Sequence, residues 1–196
     1  MKFKHNVTDR LMKYARIDTQ ADPNSTTFPS TMKQKDLAKV LVAELESLGI
    51  KDTHMDENGY VYATVPSTSK KQNVPIIFFC AHMDTSYDCK GSEVKPLLHK
   101  NYQGQDIILP DDNNIVISPK DFPHLLQCIG HDIITASGTT LLGADNKCGV
   151  SAIMNAVELW MKNPDLKHGE VRILFTPDEE IGRGVDKVNT KKINAF

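Results

Sequence analysis

The chain has 196 residues, 40% hydrophobic and 24% charged, enough for one well-buried core and little more, so a single domain is expected. Its formal charge of -2, with Lys and Arg dispersed instead of gathered beside aromatic residues, excludes the electrostatic footprint of nucleic-acid binding. Neither a run of about 18 apolar residues nor an apolar region in the leading MKFKHNVTDR is present, so neither a membrane span nor secretion is indicated and the cytoplasm is the expected location. In that reducing setting Cys80, Cys89, Cys128 and Cys148, which lack CxxC spacing, read as free thiols and argue against a zinc ribbon.

Taken in chain order, NVTDRLMKYARI is amphipathic at helical spacing and predicts a short helix from Asn6 to about Ile17. DTQADPNSTTFPST is rich in turn formers and reads as a loop running into a second helix that starts at Ser30 or Thr31. That helix carries Leu37, Val40, Leu41, Leu45 and Leu48 on one stripe and stops at Gly49. GYVYATVP and PIIFFCA follow as strands, the second expected to be central because it is apolar on both faces. Between Asp88 and Gly130 the chain is polar and irregular, a mixture of loops, short strands and a helical turn that suits a pocket wall. HDIITASGTTLL reads as a hairpin turning at Ser137 and Gly138. After Gly143 a helix bears Val150, Ile153, Met154, Val157 and Trp160 on one stripe and ends near Asn163-Pro164, and VRILFT is a further buried strand.

Residues suited to metal chemistry stand directly after three of these apolar runs: His82 and Asp84 after IIFFCA, Asp145 after TTLLGA, Glu179 and Glu180 after ILFTPD. In open α/β sheets, ligands bind outside the carboxyl ends of the strands, so the three stretches can converge there. Alternation along an extended strand puts His82 and Asp84 on one face, where the carboxylate can fix the imidazole tautomer; a plain structural hydrogen bond is the competing reading. Cys80 shares that face, and a small buried thiol is its expected role. Asp145 suits either a helix N-cap or a carboxylate bridging two cations. Glu179 and Glu180 suit either a solvated acidic face or a division of labour, one glutamate binding metal while its neighbour acts as base on a metal-bound water. His5, His54, His99, His124, His131 and His168 lack ligand context and read as surface or satisfied core. No GxSxG elbow or P-loop is present, and the glycines at 182 and 184 read as a turn.

Through AHMDTS, SGTTLLGADNKCGV and TPDEEIG, in this order, the chain resembles the M20 metallopeptidase family, and in particular its aminotripeptidase branch. The resemblance extends over essentially the whole chain, including NYQGQDI and ISPKDFP. It implies an α/β fold, a mixed β-sheet flanked by helices, like the zinc-peptidase catalytic domain. It also implies two Zn2+ ions per complete site, with His82 ligating one, Glu180 the other and Asp145 bridging them. Asp84 would orient His82 and Glu179 would be the general base. Asn146 stands where the family commonly has a second acid. The implied substrate is a short peptide, a tripeptide losing its amino-terminal residue, and a homodimer is implied for the longer protein. A further aspartate ligand and a distant histidine ligand of the family have no counterpart within residues 1–196. The chain therefore reads as the amino-terminal part of the catalytic domain, with the lid or dimerisation domain and the rest of the catalytic domain absent, and as inactive alone. A non-catalytic metal-binding fragment, or an M20 hydrolase acting on dipeptides or acyl-amino acids, are the competing readings.

Overall fold

The computed structural model describes residues 5–193; the apolar segment closing at Phe196 lies partly outside them. Two helices, α1 (Val7–Ala15) and α2 (Gln34–Ser47), precede the strands β1 (Asp52–Met55), β2 (Val61–Val65) and β3 (Ile77–His82). Then come the short strands β4 (Leu97–His99), β5 (Ile107–Ile108) and β6 (Val116–Ile117), a 3-10 helix at Pro123–Cys128, and β7 (Ile133–Thr135). The long helix α3 (Ala144–Lys162), β8 (Val171–Thr176), a 3-10 turn at Glu179–Ile181 and α4 (Thr190–Ile193) complete the order.

One four-stranded sheet, in the order β1-β2-β8-β3, organises the molecule. β1 with β2 and β2 with β8 are antiparallel, whereas β3 and β8 run parallel, so the sheet is mixed and the fold is α/β. The expected stripes on α2 and α3 supply its main core: Leu37, Leu41 and Leu45 from one, Val150, Met154 and Val157 from the other, closed on Val61, Ala63, Ile173 and Phe175 of the sheet. Gly49 takes φ +90 just past α2, a left-handed stop that a side chain would resist. On the opposite face Tyr60, Tyr62 and Leu174 form a smaller cluster with Phe28 and Phe78.

Four expectations need correction. β3 is an edge strand among the described residues, paired only with β8, and Ile77 and Phe79 are 52% and 39% exposed despite their apolar character. Buried β8 takes the central place instead. Cys80, expected to be buried, is exposed on that edge. Residues 131–142 do not fold back on themselves: β7 pairs with β4, and the Ser137 hydroxyl donates to Asp111, so long-range pairing overrides the local turn signal. α2 begins at Gln34, not at Ser30 or Thr31, because the Ser30 side chain is drawn to Asp178 instead of capping the helix. The polar strand β1 had no apolar alternation to announce it; it forms as a ladder on β2.

Candidate metal centre

Parallel pairing of β3 and β8 places His82 opposite Thr176, and the Met83 N–H donates to the Thr176 carbonyl at 2.8 Å, so both strands end at one edge. Beyond Thr176 the chain turns through Asp178, at φ 57, into the Glu179–Ile181 turn. Gly143, at φ 74, delivers the start of α3 to the same edge, where Asp145 keeps a non-helical backbone and no side-chain cap bond. The three stretches thereby meet. His82 Nε2 lies 3.0 Å from Asp145 Oδ1 and 3.5 Å from Glu179 Oε2, while its Nδ1 lies 3.1 Å from the Asp84 main-chain carbonyl.

Asp84 is fully buried, and its carboxylate faces both the glutamate turn and the His82 ring. Oδ1 accepts from the Glu179 N–H at 3.0 Å and Oδ2 from the Glu180 N–H at 2.9 Å, leaving Oδ1 3.4 Å from His82 Nδ1. β3 stops at His82, so Asp84 lies just past the strand and its carboxylate also reaches under the glutamate turn. It therefore holds both catalytic-looking stretches at once, the imidazole through its carbonyl and the glutamates through its oxygens.

The site is rich in negative charge. Burial works against a charged His82, but the bond and charge of Asp84, then Glu179 and Asp145, outweigh it and push the imidazole up to about 9. Burial also pushes the Glu180 carboxyl up; His82 opposes this, and Asp84, Asp145 and Glu179 reinforce it. Buried Lys147 donates to the Ile17 carbonyl at 2.7 Å and is lowered to about 8 by burial, with Asp18 and Asp84 opposing. Sequence reading missed Lys147, because a lysine one turn into a helix carries no mark of its burial. It also counted Asp178 only as one of three crowded acids; that side chain turns away from His82 towards Ser30 and Gln34.

The residue types gathered here are those that ligate divalent cations. One imidazole nitrogen faces carboxylates, and among the described residues no Lys or Arg forms an ion pair with Asp145, Glu179 or Glu180. The Asp145 side chain is 87% exposed, so it is open to a ligand from solution. As placed, however, no group of three or more His, Cys, Asp or Glu side chains among the described residues could hold a metal ion.

A mixed sheet flanked by helices is a fold that this chain shares with solved peptidases. An M20 family metallo-carboxypeptidase from Sulfolobus solfataricus shares it with a TM-score of 0.54 and 16% identity, over 98% of this chain and 36% of that one. The aminopeptidase PepT of Bacillus cereus shares it with a TM-score of 0.65 and 22% identity, over 97% of this chain and 42% of the other. No family model matches. Over nearly its whole length the chain is similar to proteins named peptidase T: it is 52% identical over 192 residues to peptidase T of Geobacillus sp. (strain WCH70), which is 98% of this chain and 47% of that protein. It thus spans about half the length of the curated relatives it matches.

Proposed function

We propose that the chain carries part of the catalytic apparatus of a metal-dependent aminopeptidase that removes the amino-terminal residue from tripeptides. Its relatives named peptidase T support the peptidase class, and one observation carries the site: His82 Nε2 held against the carboxylates of Asp145 and Glu179 at one sheet edge. His82, Asp145 and Glu180 would hold zinc, two ions in the complete enzyme. When bound, the metal would acidify a water and polarise the scissile carbonyl.

Glu179 acts as the general base in this reading. Its side chain is 57% exposed while its carboxylate stays within 3.5 Å of His82 Nε2, so it is at once beside the imidazole and open to solvent. It takes a proton from the attacking water and returns it to the leaving amine, which must be protonated to depart at neutral pH. Asp84 positions the glutamates through their amides and His82 through its carbonyl. The longer protein acts on short peptides in the cytoplasm, as a homodimer.

The test is Glu179→Gln in the polypeptide extended to the length of the relatives. Tripeptide turnover should fall by about 10²-fold or more while zinc content is retained; equal loss of both would refute the base assignment. Rates on dipeptides and acyl-amino acids should lie well below those on tripeptides, and the reverse order would favour another hydrolase. The 196-residue chain alone should hold zinc weakly and turn over no substrate, and robust cleavage by it would overturn that expectation.

A further inference from the structure

Behind the glutamate turn lies a second, fully buried polar cluster that the reaction does not use. Asp178 is completely inaccessible, Gln34 nearly so, and Ser30 is 5% exposed. Asp178 Oδ2 accepts from the Ser30 N–H at 2.7 Å; Oδ1 accepts from the Ser30 hydroxyl and from Gln34 Nε2, the latter at 2.6 Å. In return the Asp178 N–H donates to Gln34 Oε1 at 3.0 Å. Every donor aimed at this carboxylate comes from the entry to α2, far away in sequence, where |i−j| is 144 for Gln34 and 148 for Ser30.

We propose that Asp178 is a positioning residue: anchored to Ser30 and Gln34, its buried carboxylate holds the turn after β8 so that Glu179 and Glu180 present their amides to Asp84 and their side chains to the His82 cluster. The inference rests on the reading of those glutamates as base and ligand. Two features carry it. Asp178 sits at φ 57, a left-handed conformation that an L-residue adopts at a cost, and the four bonds around it select that conformation. The very next two amides are the ones that Asp84 accepts, so the turn is clamped from both sides, by Asp178 reaching outward to the entry of α2 and by Asp84 reaching in from just past β3.

The chemistry also says which substitution separates positioning from bulk. Asparagine tolerates the left-handed region, so Asp178→Asn keeps the backbone preference, but its amide group replaces an acceptor with a donor facing Gln34 Nε2. Gln34→Glu restores the match, because a carboxylate at position 34 can accept both from the side-chain amide introduced at position 178 and from the main-chain N–H of that position.

The experiment uses the chain itself. Amide hydrogen exchange at Glu179 and Glu180, measured without metal, should accelerate about tenfold or more in Asp178→Asn, while Ile173 and Phe175 within β8 keep their rates. Ser30→Ala, which removes one hydroxyl donor, should act in the same direction more weakly and serves if the Asp178→Asn variant fails to fold. Co2+ affinity, followed by its visible absorption, should drop by about 10- to 100-fold in Asp178→Asn and recover in the variant carrying both Gln34→Glu and Asp178→Asn. Unchanged exchange at Glu179 and Glu180 in both single variants overturns the proposal, as does uniform acceleration across β8 without a local excess. If the polypeptide extended to the length of the relatives binds no Co2+ but the local exchange effect is present, the metal reading fails and the positioning role stands.

Discussion

His82 binds its proton more tightly than a free imidazole, and the sign of that shift makes two claims about pH. A histidine raised from 6.5 to about 9 adds stability to the metal-free fold that is fully present below about pH 6.5 and is lost as pH rises through about 9. The same proton competes with a cation for Nε2. Metal affinity of this chain should therefore rise about tenfold per pH unit between pH 6.5 and 9 and then level off, as a calorimetric titration at fixed ionic strength would read. A flat affinity over that range would show that His82 Nε2 is not a ligand. Asp84, by contrast, acts through geometry: a carboxylate whose two oxygens receive the amides of successive residues fixes a turn in the way an anion fixes a helix start.

The helices are tied to one another by charge as well as by the core. The Arg10 guanidinium of α1 stands between Glu44 of α2 and Glu158 of α3, pairing with Glu158 at 2.7 Å, and Tyr14 donates to Glu44 at 2.7 Å. Hydrogen bonds from Lys162 and then Arg10 hold the Glu158 carboxyl down at about 2. A depressed carboxylate contributes stability that is whole above its ordinary value of 4.5 and disappears as pH falls through about 2. Glu158→Gln should accordingly lower the urea midpoint at pH 7 and flatten its decline between pH 4.5 and 2; an unchanged acid limb would place the helix coupling elsewhere. The strand ladder shows the limit of local reading at this scale. β7 sits beside β4 because Thr135, Ile134 and Ile133 find partners in Leu97, Leu98 and His99, a pairing that the hairpin signal in SGTT concealed.

At the scale of the molecule, the edge of β3 that has no partner strand among the described residues is the feature with consequences. Ile77 and Phe79 are exposed there, and a groove of about 330 Å³ between β3 and α3 is lined by Phe79, Cys80, Ile153 and Trp160. An exposed apolar edge strand is a template for pairing with another chain. The isolated 196-residue chain should self-associate in solution, and Phe79→Lys should reduce its light-scattering mass towards that of a monomer without lowering its unfolding midpoint. A monomeric parent chain would contradict this.

Much of the molecule was legible in residue order. Helical stripes on α2 and α3, the apolar runs of β2, β3 and β8, and the placement of His82, Asp145 and Glu179 directly after such runs are local patterns with local causes: periodicity, β-branching and glycine at chain stops. These determined the α/β class and the candidates for the site. Tertiary structure alone decided which strand is central, since a strand apolar on both faces looks the same whether or not a neighbour lies beyond it. It also decided that Asp84 binds amides 95 and 96 residues away, that Lys147 is buried, and that Asp178 turns towards α2. A side chain's partner depends on the path of the chain through space, and hydrogen bonds between stretches so remote in sequence leave no periodic trace along it.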